Sequence, residues 1–309
     1  NLITFARRAS NNLITFARRA SNNLITFARR ASNNLITFAR RASKMDIFNY
    51  EFFRNALMAV VLLSIASAVI GTYIVSRRLV SISGGVTHAC FGGLGLGYYL
   101  SINPVVMAAV FAIASSLGVQ WMSARHRVRE DSAIAVIWAI GMAIGTLFIF
   151  LTPGYVPELN SFLFGNILTV TRGDLWAFLI FTLVLIGFMA AMYRNIVICA
   201  FDPDFARVRR LPVTFVTTVM TVLVAVCIVL TIRLVGVMLL MSMLALPQMT
   251  AELFVKRFGS IMRLSIGISL ACSLAGLLLA TVVNVPCSAL IVLTMAGAYL
   301  VSWAIRRII

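Results

Sequence analysis

The chain has 309 residues, of which 61% are apolar and only 11% are charged, with a mean hydropathy of +1.00. Soluble domains are about 45–50% apolar and about 25% charged, so this composition excludes an ordinary soluble enzyme and indicates a membrane protein. Of the net charge of +17, residues 1–44 carry more than half, because they contain eight arginines, Lys44 and no acidic residue. Nothing in the remaining charge pattern calls for nucleic acid as a partner.

Residues 1–44 repeat the unit Asn-Leu-Ile-Thr-Phe-Ala-Arg-Arg-Ala-Ser-Asn four times, with Lys44 in place of the last Asn. Natural repeats drift, and their end copies usually differ because they cap the array. Identical copies directly before Met45 therefore indicate a non-native tag or artefact, which is excluded from fold reasoning. Residues 45–309 are interpreted as the transmembrane domain.

From Met45 onward, apolar stretches alternate with short polar or basic connections. A helix needs about 20 residues to cross the bilayer core, and on this basis we predict nine spans, or eight at the lower count. They lie near 53–76, 83–101, 104–123, 132–152, 174–193, 213–233, 235–251, 261–283 and 287–305. Residues 159–170 are too short to cross and are predicted to form a re-entrant or interfacial helix. The expected fold is an all-α, multi-pass membrane protein.

The basic residues of the domain favour one side of these alternating spans. Fourteen of them fall on that side, whereas Arg54, Arg172 and Arg233 fall on or near the other. Cytoplasmic loops are enriched in Lys and Arg. We therefore expect a cytoplasmic C-terminus and place the native N-terminus outside.

Several motifs of enzymes and nucleotide-binding proteins are missing from the sequence. There is no G-x-x-x-x-G-K-[ST] motif, so any ATP hydrolysis belongs to a separate subunit. No catalytic residues and no stably bound cofactor are predicted. Gly93 and Gly97 have the spacing that lets membrane helices approach closely, and Pro247 lies within a span, where proline can kink a helix.

Of the two histidines in the chain, His88 lies within a predicted span. Ionisable residues at membrane depth are costly and usually face a bundle interior or a transport pathway, and imidazole binds divalent ions such as Zn, Fe and Ni. A hydrogen bond between helices is the alternative role. Asn166, near the predicted outer mouth, is a second candidate to meet an ion.

The loop 199–212 is predicted to contain a short helix that is capped by Asp202 and begins at Pro203. Phe201, Phe205 and Val208 give it an apolar side, so it either lies on the membrane or docks into a cytoplasmic partner. The residues assigned to such docking are Phe201, Asp202, Pro203, Asp204, Phe205 and Arg207.

Together these motifs resemble the membrane permeases of bacterial ABC importers for manganese, zinc or iron, over nearly all of residues 50–305. The matching segments are 71–79, the segment around His88, 103–104, 129–134, 163–168, 201–203, 234–240, 246–247 and 285–286. The resemblance implies an inner-membrane homodimer with two cytoplasmic ATPases and an external metal-binding protein. It also implies that residues 200–212 couple to the ATPase and that His88 lies on the metal path. Many members carry Asp where this chain has Gly84, so their His–carboxylate pair is absent here.

The leading hypothesis is the permease of an ATP-driven importer of divalent metal ions. An ABC permease for a metal chelate is the nearest alternative. A hypothesis from a different functional class is a secondary transporter, in which protons that pass through His88 drive the transport. An intramembrane enzyme would need paired catalytic groups that the spans do not supply.

Overall fold

A computed structural model describes residues 51–126, 129–153, 165, 167, 170–283 and 285–308, and the regular secondary structure in these ranges is helical. The helices are α1 (Glu51–Ser76), α2 (Val80–Tyr99), α3 (Pro104–His126), α4 (Glu130–Leu151), α5 (Arg172–Phe201), α6 (Pro203–Val208), α7 (Val213–Phe254), α8 (Phe258–Val283) and α9 (Cys287–Ile308). The predicted all-α class is confirmed. The repeat and the predicted half-helix at 159–170 lie outside the described residues, apart from positions 165, 167 and 170.

Seven of the described helices are long and apolar enough to cross a membrane, namely all except α2 and α6. The glycine, serine, threonine and histidine residues of α2 lower its mean hydropathy below that of the other long helices. Helix α2 nevertheless extends alongside α4 from one end of that helix to the other. Ser81 at one end of α2 donates a hydrogen bond to Asp131 (2.7 Å). At the other end, the Tyr99 ring lies 5.2 Å from the Phe148 ring. The helix therefore crosses as well.

Helix α7 has 42 residues and is interrupted at Gly236, where φ is 80° and ψ is 172°. A side chain is strongly disfavoured in this region of backbone space, so glycine is needed there. The backbone at Val235 and Gly236 also lies directly against Gly165, which has a positive φ of its own. No Cβ fits at Gly165 without displacing this backbone.

The neighbours of α7 show that the chain reverses at Gly236. Its first residue, Val213, lines a cavity together with Arg77, and Glu252 near its end lines another cavity with the same arginine. Arg233, which lies between Val213 and Glu252 in the sequence, pairs with Asp174 (2.8 Å). Asp174 is at the start of α5, at the opposite end of the bundle from Arg77. Helix α7 is therefore two antiparallel spans, and the described helices make nine crossings, in agreement with the predicted eight or nine.

The bundle thus has two ends, which we call the α6 end and the Gly236 end. At the Gly236 end, Arg172 pairs with Glu51 (2.6 Å) and Arg233 pairs with Asp174. The α6 end lies where α1 finishes and α4 begins, and it holds most of the basic residues in the described part of the chain. Those near it include Arg77, Arg78, Arg129, Arg207, Arg209, Arg210, Lys256 and Arg257.

Helix α2 is held between α3 and α4 by contacts at backbone distance. A Cβ added at Gly93 or Gly97 would lie 2.7 Å from the Cα of Ala108 or Pro104 in α3, respectively. A Cβ at Gly141 of α4 would lie 2.5 Å from the Cα of Ala89. These small residues allow three helices to approach closely, and they fix the position of His88 on α2.

Candidate functional site

The His88 ring on α2 stacks on the Trp138 ring of α4. Their centroids are 4.5 Å apart and their planes differ by 5°. The Nδ1 atom of His88 is buried and has no hydrogen-bond partner among the residues that the structure describes. Buried polar atoms normally have partners, because leaving one unpaired is costly. This nitrogen is therefore available to ligate a cation or to exchange a proton.

Gly84 lies one helical turn before His88 and on the same face of α2. A Cβ at Gly84 would lie 2.8 Å from the Cε atom of Met241, which belongs to the second span of α7. The space in which an Asp side chain would begin is thus occupied by a thioether side chain. Within the described ranges, no three His, Cys, Asp or Glu side chains form a group that could enclose a metal ion.

Helix α6 has the predicted local structure. The Asp202 carboxylate accepts a hydrogen bond from the Phe205 backbone N–H (2.9 Å), and Pro203 occupies the first turn. Asp204 pairs with Arg207 (2.9 Å). The cap prediction is confirmed, because these interactions depend only on residues close together in the sequence.

Helix α6 and the last residue of α5 expose apolar side chains at this end of the bundle. Val208 is 83% exposed, and Phe201 and Phe205 are also exposed. The Arg209 guanidinium lies 5.0 Å from the centre of the Phe205 ring, and Phe201 makes an edge contact with Phe258 of α8 (6.4 Å between centroids). This surface combines apolar and cationic groups, as protein docking sites often do.

A polar cavity of about 360 Å³ lies between α6 and the rest of the bundle. Arg77, Glu130 and Arg207 line it, and so do Ser116 and Gln120. The Ser116 Oγ and Gln120 Oε1 atoms have no hydrogen-bond partners in the described part of the chain. A cavity with such groups is suited to hold water, so one side of α6 faces a polar cavity while Ala206 on the same helix is packed into the buried core.

Arg77 connects this cavity to α1 and α4. It donates a hydrogen bond to the Tyr73 hydroxyl (3.3 Å) and lies 3.9 Å from the Glu130 carboxylate. Burial would lower the pKa of the Arg77 guanidinium, but Tyr73 and Glu130 raise that pKa above its usual value. Arg77 therefore keeps its charge and joins the end of α1 to the start of α4.

Pro247 and Asn166 are two further residues that the sequence singled out. Pro247 is buried in the second span of α7, and its carbonyl accepts a hydrogen bond from Ser265 Oγ (3.4 Å). The non-helical backbone of α7 is at Gly236 and not at this proline. Asn166 lies outside the described residues. Sequence reasoning missed Trp138 and Met241, because no local pattern distinguishes them from other apolar residues of their spans.

Known proteins have sequences similar to this one. The model of the ABC 3 transport family matches residues 49–306. A "Probable metal transport system membrane protein" of Chlamydia pneumoniae is 37% identical, over 79% of this chain and 85% of its own length. The "Manganese transport system membrane protein MntC" of Listeria monocytogenes is 27% identical, over 83% of this chain and 91% of its own.

A solved structure has the same fold. It is described as PsaBC from Streptococcus pneumoniae in complex with Fab, and one of its chains superposes with a TM-score of 0.73 at 25% identity. The superposition covers 83% of this chain and 92% of that one. With the family model matched over nearly the whole transmembrane domain, this chain belongs to the ABC 3 transport family.

Proposed function

We propose that this chain is the permease subunit of an ATP-driven importer that carries divalent metal ions (Zn, Mn or Fe) across the bacterial inner membrane. The observation that carries the proposal is His88, whose buried Nδ1 lacks a partner in the described part of a nine-crossing bundle. The names of the Chlamydia and Listeria relatives, which refer to metal and to manganese transport, support it. The metal ion is the cargo, so the permease needs no resident cofactor.

A cytoplasmic ATPase would dock on α6. The abundance of Arg and Lys at the α6 end supports a cytoplasmic location for that end and for the C-terminus, under the positive-inside rule. The exposed side chains of Phe201, Phe205 and Val208 would fill an apolar groove on the ATPase. ATP would bind and be hydrolysed in that partner.

Two copies of the chain would pair through α4 and α9. These helices expose large apolar side chains, including Ile140, Leu147 and Phe150 on α4 and Leu293, Leu300 and Val301 on α9. Trp138 is itself 44% exposed on α4. Pairing would therefore bring the two His88–Trp138 stacks to opposite sides of a shared path. An external metal-binding protein would deliver the ion at the Gly236 end.

Two alternative functions make different predictions. A metal-chelate permease would require the same ATPase but would transport the complexed ion and not the free ion. A secondary transporter would use His88 to carry protons, so its uptake would continue without any ATPase and would stop when the proton gradient is dissipated.

Uptake measurements test the proposal directly. The permease is expressed with its cognate ATPase and binding protein, and ATP-dependent uptake of Mn, Zn and Fe is compared for the wild type, His88→Ala and His88→Phe. The phenylalanine variant preserves an aromatic ring against Trp138 but removes the nitrogen, so we expect both variants to lose uptake. Cys90→Ala is the matched control, because Cys90 is buried on the same helix and, within the described structure, its thiol donates only to the Val86 carbonyl one turn earlier (3.0 Å).

Each result decides a separate point. Normal uptake by both His88 variants would exclude this residue from the metal path. Uptake that needs no ATPase would refute the importer, and uptake restricted to a chelate would favour the alternative permease.

A further inference from the structure

A groove of about 640 Å³ opens between α1 and α5 at the Gly236 end. We propose that this groove binds a membrane phospholipid, with the anionic phosphate at its mouth and an acyl chain along its wall. The groove belongs to α1 and α5, whereas the proposed dimer contacts belong to α4 and α9. The inference requires that the chain lies in a membrane, and it is independent of the metal that the protein transports.

Each wall of the groove changes from cationic to apolar in the same direction. On α1, Arg54 is followed at helical spacing by Met58 and Val61, and on α5, Arg172 is followed by Trp176 and Leu179. Residues separated by three, four and seven positions share one face of a helix. Seven residues of helix span about 10 Å. The two arginines are therefore at the membrane-surface end of the groove, and apolar side chains extend from them toward the membrane interior.

The positive charge at the mouth is only partly neutralised by the described residues. Arg172 pairs with Glu51, but Arg54 makes no ion pair with any residue in the described ranges. A guanidinium binds a phosphate group strongly through charge-assisted hydrogen bonds. Trp176, which is 64% exposed, has the amphipathic ring that is typical of the membrane–water interface.

The apolar wall explains why the ligand is a lipid and not a free anion. Met58 is 51% exposed and Val61 is 39% exposed, although both line the groove. A free phosphate would satisfy Arg54 but would leave this wall uncovered. A phospholipid satisfies both, because its phosphate and its acyl chain are separated in the same direction as the arginine and the apolar residues.

Native mass spectrometry of the delipidated full-length protein tests this assignment. The probes are phosphatidylglycerol, diacylglycerol (which has chains but no phosphate) and inorganic phosphate. We expect phosphatidylglycerol to be retained by the wild type, and Arg54→Gln to weaken its binding about tenfold, as for the loss of one charge-assisted contact. Diacylglycerol should bind more weakly and be insensitive to Arg54→Gln, and inorganic phosphate should not be retained.

A second variant tests the acyl-chain part of the groove without changing any charge. Val61→Trp fills the deep end and should also abolish retention of phosphatidylglycerol. Val184→Trp is the matched control, because Val184 is 56% exposed on α5 but does not line the groove. The proposal is overturned if the wild type retains no phosphatidylglycerol, which would favour the chain's own residues before Glu51 as the occupant. Retention at wild-type levels by both Arg54→Gln and Val61→Trp would also overturn it, by placing the lipid elsewhere.

Discussion

Replacing Gly84 with Asp tests whether Met241 occupies the space that a carboxylate at this position would need. A Cβ at Gly84 would lie 2.8 Å from Met241 Cε, whereas ordinary contact begins at 3.4 Å, so the methionine would have to move by at least 0.6 Å. Because Cε is the far end of a flexible side chain, this shift is cheap and should cost less than the about 1–3 kcal/mol of rigid overpacking. Met241→Ala removes the obstructing atoms, so we expect the double variant to recover about 0.5 kcal/mol of the loss, at the low end of the coupling energies of contacting residues in double-mutant cycles.

The assay is thermal unfolding of the purified protein in detergent, with and without Mn²⁺. In the double variant, the new carboxylate lies one turn from His88, so Mn²⁺ should raise the unfolding temperature more than it does in the wild type, because Mn²⁺ favours oxygen ligands. Gly85→Asp is the matched control, since a Cβ at Gly85 meets Ile134 and not Met241. The reasoning fails if Met241→Ala rescues both aspartate variants equally, or neither of them.

Further predictions concern the ends of the bundle. Gly236→Ala should destabilise the fold by about 1–3 kcal/mol, because alanine is strained at this φ and ψ; chemical unfolding measures the loss, and wild-type stability would contradict the assigned reversal. Asp202→Ala should remove about 0.5–2 kcal/mol of capping energy from α6, whereas Asp202→Asn should keep the cap. In the complex with the ATPase, only the alanine variant should reduce ATPase stimulation. Equal stimulation by both variants would show that the cap has no role in coupling the permease to the ATPase. Arg233→Ala should cost only about 0.2–1 kcal/mol by the same unfolding assay, because the Asp174 pair is partly exposed. Deletion of residues 1–44 should leave unfolding and metal uptake unchanged, and a loss of either would show that the repeat is functional.

The crossings and the α6 cap could be predicted from the sequence because they depend on local information. Hydropathy over about 20 residues defines a span, and the cap involves Asp202, Pro203 and Phe205, which are neighbours in the chain. The reversal in α7 was also predictable as two spans, although the sequence did not show that a single glycine separates them.

The contacts around the candidate site could not be predicted, because they join distant residues in uniformly apolar helices. Nothing local pairs His88 with Trp138, or Gly84 with Met241. In a helix that is apolar on every side, hydrophobic periodicity does not indicate which face meets which neighbour. The role of His88 came from the cost of an ionisable group in a membrane, and that argument identifies a residue without identifying its surroundings.

The glycine contacts of α2 have a consequence for motion. Because the backbones of α2, α3 and α4 touch at Gly93, Gly97 and Gly141, these helices cannot slide past one another without steric clashes, and we expect them to move as one rigid body that carries the His88–Trp138 stack. The facing surface on α7 is different, since Met241 is a flexible side chain that can repack as its neighbours shift. Any opening and closing around His88 should therefore occur along the boundary between this three-helix unit and the second span of α7.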